Sequence, residues 1–298
     1  MIASNWGQVL TAMATPFDSE GRIDVPGVTR LVDYLFENGS DGMVVCGTTG
    51  ESPTLSHDEK LTMFRLVKDA AKGRGPVFAG TGSNDTAATI TLSRQAVELG
   101  VDALLLVAPY YSKPSQEGLY RHFRAVAESV SLPCMLYNVP PRTSVNIEAG
   151  TVLRLARDVE NIVSVKEASS NLVQVSEIAA GAPEGFSIYS GEDGIVLPTL
   201  AVGGIGVVSV SSHVVGRDLK AMHRAFFSGD YREAARIHGK MLPIVRALFQ
   251  PTTPSPAPVK AALNLLGVGV GGVRLPLVDA TESETEIVRS ALKAYGLL

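Results

Sequence analysis

Lys166 closes the run Asn161-Ile162-Val163-Ser164-Val165-Lys166, a β-branched stretch patterned as a buried parallel strand. A lysine there leaves the apolar core at a strand's carboxyl end, where α/β folds keep their chemistry. Burial disfavours the ammonium form, and a neutral lysine amine can attack a carbonyl carbon to form a Schiff base. Most strand-end lysines simply snorkel to solvent, so the residue needs companions.

Three other segments supply them. Gly47-Thr48-Thr49-Gly50-Glu51-Ser52 follows a strand-like run directly. Two hydroxyls and several backbone N–H groups between glycines make a nest that suits a carboxylate or a phosphate. The same residues equally describe a tight turn in which glycine supplies φ > 0 and threonine caps. Tyr137-Asn138-Val139-Pro140-Pro141-Arg142-Thr143 ends another apolar run. Tyr137 would aim its hydroxyl beside the strand of Lys166, and two prolines would stiffen the loop that points Arg142. A forked guanidinium suits carboxylate recognition. A rim tyrosine and a surface arginine are the plainer alternative. In Pro109-Tyr110-Tyr111-Ser112-Lys113-Pro114 the paired tyrosines fit an interface as well as a site.

Other patterns are set aside. Gly267-Val268-Gly269-Val270-Gly271-Gly272 has the G-x-G-x-x-G spacing but follows a helical pattern and runs into Val273-Arg274-Leu275-Pro276, so it is expected to be a loop. The five histidines, His57, His122, His213, His223 and His238, lack metal-ligand spacing, and no metal site is expected. No G-x-S-x-G elbow is present, which removes the common serine hydrolase route.

The elements that must carry these residues alternate regularly. Strand-like runs at 9–14, 42–46, 77–80, 103–107, 134–137, 162–166, 186–190 and 206–210 are each followed by a helical pattern: 25–38, 57–72, 85–99, 116–129, 147–157, 172–180, 193–202 and 217–227. Ser56 and Glu59 form a capping box, and Gly39, Gly73 and Gly100 stand where helices should stop. Eight β units each followed by an α unit predict a closed (β/α)8 barrel over residues 1–228, with an open doubly wound sheet as the alternative. After that the strands cease. Helices at 231–249, 258–266 and 283–295, the last with Ser283 and Glu286 as a capping box, predict a small C-terminal helical domain over 229–298. Residues 251–256, Pro-Thr-Thr-Pro-Ser-Pro, are expected to be a rigid connector.

Composition sets the outer bounds. With 298 residues and 45% hydrophobic content, the chain can bury a large core. A net charge of −4 without basic clusters argues against nucleic acid as a partner. Met1-Ile2-Ala3-Ser4-Asn5-Trp6-Gly7 lacks the basic and apolar regions of a signal peptide, and no apolar run approaches membrane-spanning length. Cys46 and Cys134 lie in apolar runs and are expected to be buried thiols rather than a disulfide. A soluble cytoplasmic protein with no membrane partner is expected.

Taken together, G-T-T-G-E at 47–51, P-Y-Y at 109–111, Y-N-V-P-P-R-T at 137–143 and V-K-E-A at 165–168 resemble the dihydrodipicolinate synthase / N-acetylneuraminate lyase family. The resemblance spans essentially the whole chain, with all four motifs in order. It is greatest for the branch that condenses pyruvate with L-aspartate 4-semialdehyde on the diaminopimelate route to lysine. It implies that Lys166 forms the Schiff base with pyruvate and that no other cofactor takes part. Thr48 and Thr49 would hold the pyruvate carboxylate, and Tyr137 would be the general acid/base. Thr49 would link Tyr137 to Tyr111, whose counterpart reaches a neighbouring subunit's site. Arg142 would bind the semialdehyde's carboxylate, while Gly191 and Val208 would offer backbone contacts. Relatives often carry Asp where Glu192 stands and Ile where Val208 stands.

The resemblance also implies a homo-oligomer, a tetramer built as a dimer of dimers. Lysine-sensitive relatives bind lysine at positions that read here Pro53, His57, Lys60, Asn84, Ala88 and Tyr110. His57, Asn84 and Tyr110 fit the sensitive pattern. Lys60 replaces a frequent His and Ala88 a Glu that pairs with the ligand, so weak or absent lysine inhibition is expected. The rival enzyme is a pyruvate-dependent aldolase or lyase of 2-keto-3-deoxy sugar acids or sialic acid. It would keep Lys166, Tyr137 and the threonines but favour hydroxyl-recognising residues over Arg142. A non-catalytic regulatory relative should have lost Lys166 or Tyr137, and both are present.

Overall fold

The computed structural model describes residues 6–298; residues 1–5, part of the segment weighed for a targeting signal, lie outside it. In chain order the elements are β1 Val9–Ala12, α1 Val25–Glu37, β2 Gly42–Val45, α2 His57–Ala71, β3 Val77–Gly80, α3 Thr86–Glu98, β4 Ala103–Val107, α4 Gln116–Glu128 and β5 Cys134–Asn138. There follow α5 Pro140–Thr143, α6 Ala149–Asp158, β6 Ile162–Glu167, α7 Leu172–Gly181, β7 Ser187–Ser190, α8 Val196–Ala201 and β8 Gly206–Ser209. The chain ends with α9 Ser212–Phe227, α10 Tyr231–Leu248, α11 Ala257–Leu265 and α12 Glu282–Tyr295.

The eight strands hydrogen-bond in sequence order as a closed barrel, as the β/α alternation predicts. Parallel strands covered on both faces read as continuous apolar runs, and Val9, Leu10, Val44, Leu104, Leu136 and Val207 are all fully buried. The chain forms two compact units. One joins the described residues up to Gln8 to Pro76–Val208; the other joins Val9–Gly75 to Ser209–Leu298.

Local chemistry explains the elements. In α1, Val28, Leu31, Val32 and Leu35 recur at helical spacing and are buried, and a proline opens the first turn. Ser56 caps α2 by accepting from Glu59 N at 3.2 Å, while the Glu59 carboxylate accepts from Ser56 N at 2.8 Å. Asp41 and Asp102 accept the first N–H of β1 and β3, at 3.0 and 2.8 Å, so a carboxylate satisfies each strand's opening donor.

Four expectations need correction. The box at the start of α12 uses Thr281 and Glu284, two residues upstream of Ser283 and Glu286, and Glu286 pairs instead with Arg289. The helix expected over 193–202 is split into a 3-10 turn, Asp193–Ile195, and the short α8, whose first turn takes Pro198. Helix α9 begins at Ser212 rather than 217, crossing a non-helical Val215. There Gly216 passes so close that a Cβ would lie 2.4 Å from Asn38 O. The stiff loop after β5 winds one helical turn, α5, because Pro140 is already shaped for a helix's first position.

Candidate active site

Lys166 and Tyr137 are register partners on β6 and β5, so their side chains leave neighbouring strands on the same face. Each is only 5% exposed, and Lys166 Nζ lies 4.2 Å from the Tyr137 ring centroid. Gly191, just past β7, completes this corner. A Cβ there would fall 2.6 Å from Ala168 Cβ and 3.0 Å from Lys166 Cε, so the lysine stem occupies the space that a side chain would need. Gly191 N donates to Glu167 O at 2.7 Å, which holds its backbone against β6. Val208 is fully buried in β8.

Glu167 points the other way from Lys166 and is saturated with donors. It accepts from Asn138 Nδ2 at 3.0 and 3.1 Å, from Gln174 Nε2 at 2.8 Å and from Ser169 N at 2.7 Å. Asn138 Oδ1 in turn accepts from Ile147 N at 2.9 Å. This buried network ties β5, β6 and both ends of the 139–147 loop together, so the exposed Arg142 rides on a braced loop. Neither Asn138 nor Glu167 is recognisable as functional from the sequence pattern. Their signal was polarity at the ends of otherwise apolar strands.

Glu192 was noted only as a departure from relatives, yet it faces the charged groups of this corner. Burial, and then the neighbouring Asp193, push its carboxyl above the usual carboxylate range, while Lys166 and Arg142 pull it down. Ser190 Oγ accepts from Glu192 N at 3.2 Å and donates to Glu192 O at 2.9 Å, fixing that backbone. In the loop after β4, Tyr111 is 89% exposed and adopts φ +73°, a strained value for an aromatic residue. Tyr110 and Asn84 are also exposed.

The threonine turn belongs to the other compact unit. Thr48 is half-buried and Thr49 is 4% exposed. Glu51 N donates to Thr48 O at 3.0 Å, and Thr15 Oγ1 donates to Gly50 O at 2.7 Å. Gly50 sits in close approach, since a Cβ would lie 3.0 Å from Met13 O and 3.1 Å from Cys46 N, tighter than ordinary contact. Glu51 holds a left-handed φ of 56° and buries its carboxylate 2.7 Å from Lys260 Nζ. His57, the first residue of α2, is exposed. The glycine run 267–272 is a loop, as expected.

Cys46 and Cys134 are buried free thiols whose pKa values are pushed up to about 12 by burial, so neither is a nucleophile near neutral pH. Among the described residues, no group of three or more His, Cys, Asp or Glu could hold a metal ion, and no helix is long and apolar enough to cross a membrane. A cavity of about 480 Å³ lined by Val130, Pro133, Ile162 and Phe186 lies at the amino ends of β5–β7, the opposite end from Lys166.

The chain is similar to known proteins over nearly its whole length. The dihydrodipicolinate synthetase family model matches residues 5–295. The 4-hydroxy-tetrahydrodipicolinate synthase of Moorella thermoacetica is 54% identical over 293 residues, 98% of this chain and 99% of that one. The crystal structure of a dihydrodipicolinate synthase from Bacillus anthracis superposes with a TM-score of 0.95 at 49% identity, covering 97% of this chain and 98% of that one. The enzyme from Cyanidioschyzon merolae, solved with lysine bound, gives a TM-score of 0.96 at 45% identity, over 98% and 99% of the two chains. The chain belongs to the dihydrodipicolinate synthetase family.

Proposed function

We propose that this protein condenses pyruvate with L-aspartate 4-semialdehyde, the 4-hydroxy-tetrahydrodipicolinate synthase reaction of lysine biosynthesis, through a Schiff base on Lys166. The observation that carries the reading is the buried Lys166–Tyr137 pair at the carboxyl ends of adjacent strands, in a chain with closely similar synthases as relatives. Lys166 Nζ attacks the keto carbon of pyruvate, and water leaves as the iminium forms. The iminium draws electrons from the methyl group, which loses a proton to give an enamine. The enamine carbon then attacks the aldehyde, and the semialdehyde's own amine adds to the imine carbon, closing the product ring as the bond to Lys166 Nζ breaks and the lysine is freed.

Each proton transfer needs a group that both gives and takes, and Tyr137 fills that role. Thr48 and Thr49 hold the pyruvate carboxylate, a small anion that hydroxyls and backbone N–H groups bind without a metal. Thr49 relays protons between Tyr137 and Tyr111, the latter supplied by a second copy of the chain in a dimer of dimers. Gly191 and Val208 contribute backbone contacts. Arg142 takes the second substrate's carboxylate and separates this reading from a sugar-acid lyase.

Initial rates with pyruvate and L-aspartate 4-semialdehyde, set against cleavage of 2-keto-3-deoxy sugar acids and sialic acid, test the assignment. The reading expects turnover with the semialdehyde and none with the sugar acids; the reverse pattern would overturn it.

A further inference from the structure

Glu51 ends the threonine turn, and its carboxylate is not solvated. Its side chain is 0% exposed, paired at 2.7 Å with Lys260 Nζ, itself 2% exposed, on α11. Arg274 N donates to the second Glu51 oxygen at 2.9 Å. Lys260 has two further partners: it donates to Gly272 O at 2.6 Å and lies 4.2 Å from the Phe17 ring centroid. The Gly272 carbonyl belongs to the glycine run whose spacing mimics a dinucleotide motif.

That run has a structural task. Phe17 N donates to Val270 O at 3.0 Å, and a Cβ on Gly271 (φ +69°) would lie 2.0 Å from Phe17 O, so only glycine allows the approach. Arg274 adds a clamp, binding Glu59 through two nitrogens at 2.6 and 2.9 Å and donating to Thr54 O at 3.0 Å.

A wholly buried ion pair is a poor device for stability, because desolvating two charges cancels most of their attraction. What it does well is select one arrangement, since any displacement strands a charge in the core. Here the selected arrangement is that of Glu51, whose N–H bonds directly to Thr48 O. We propose that Lys260 is a positioning residue for the reaction, fixing through Glu51 the turn that presents Thr48 and Thr49 to the pyruvate carboxylate. The C-terminal helices thus set the affinity of a site to which they contribute no catalytic residue. This role rests on the pyruvate-condensing function proposed for the chain and deepens it.

The experiment measures borohydride trapping of pyruvate against pyruvate concentration in the wild type, Glu51→Gln, Lys260→Met and the Glu51→Gln/Lys260→Met double variant, with a melting curve for each. Lys260→Met alone strands a buried carboxylate and should lower Tm, whereas the double variant removes both charges and should recover most of that loss. The half-saturating pyruvate concentration should nonetheless rise at least about ten-fold in the double variant, equivalent to about 1.4 kcal/mol. Maximal trapping at saturating pyruvate should stay near that of the wild type. A stable double variant, or a stable Glu51→Gln, with wild-type half-saturation would overturn the proposal and leave the pair a packing feature. No trapping in the wild type would instead bring down the Schiff-base reading, and the proposal with it.

Discussion

Lys166 Nζ sits 4.2 Å from the centre of the Tyr137 ring because the two residues are direct partners across the β5–β6 ladder. One tyrosine therefore offers two things. Its ring face stabilises positive charge on the nitrogen, by about 0.5–2 kcal/mol for such contacts. Its hydroxyl can move protons.

Tyr137→Phe separates these roles, because it keeps the ring and removes the hydroxyl. Pyruvate trapping on Lys166 should be slower but reach its full extent at equilibrium, while turnover falls by about 10²–10⁴-fold, the usual worth of a general acid/base. Single-turnover trapping and steady-state rates on one preparation check this. Undiminished turnover would remove Tyr137 from the proton path.

Gly191→Ala places a methyl group 2.6 Å from Ala168 Cβ and 3.0 Å from Lys166 Cε. The lysine stem can yield only by leaving its position beside Tyr137. Activity should drop by about ten-fold to a hundred-fold, the scale of a displaced reacting group. Tm should fall modestly as well, since Ala168 Cβ is fixed to the backbone and overpacking of this kind costs about 1–3 kcal/mol. A variant with full activity would show that the stem's path is not set by this glycine.

The expected weak response to lysine has a physical basis. Ala88 is exposed on the first turn of α3 and cannot pair with a ligand ammonium, a charge-assisted hydrogen bond worth about 1.5–3 kcal/mol. Initial rates titrated with lysine should show half-inhibition only above about 1 mM, the concentration scale of a weak contact set. Potent inhibition would mean that another residue supplies the missing carboxylate.

His122 links stability to pH. The ring is 6% exposed, its Nδ1 is 2.9 Å from Thr86 Oγ1, and burial lowers its pKa from 6.5 to about 4 against the opposing pull of Asp85. Between these values the unfolded chain binds a proton that the folded chain does not. The histidine's contribution is therefore fully present above pH 6.5 and is lost as pH falls towards about 4. The loss amounts to about 3 kcal/mol. Urea melts of wild type and His122→Gln should accordingly converge on acidification. A constant gap from pH 7 to pH 4.5 would refute the assignment.

Much of the molecule was legible in its sequence because local and global signals coincide. The run 103–107 is apolar throughout, as doubly covered strands are, 162–166 is β-branched and apolar apart from Ser164 and the terminal Lys166, and capping residues such as Ser56 mark where helices begin. The misplaced boundaries lie where tertiary contact overrides pattern, as at Gly216 against Asn38. Lys166, Tyr137 and Gly191 were named from sequence, and the structure brings them together. The surroundings of Glu167, Glu192 and Lys260 are not legible in the sequence for one reason: they depend on which way a polar side chain turns and what encloses it. Lys260 did leave a trace, as a single charge within Ala257–Leu265, a segment otherwise almost wholly apolar.

The most direct test of the account is covalent. The protein is incubated with pyruvate, reduced with borohydride, digested and mapped by mass spectrometry, alongside Lys166→Ala and Lys166→Arg. The account predicts one pyruvate-derived adduct in the wild type, on Lys166, and none in either variant, because a guanidinium stays protonated and cannot act as the nucleophile. An adduct on a different lysine, or continued trapping in Lys166→Ala, would contradict it.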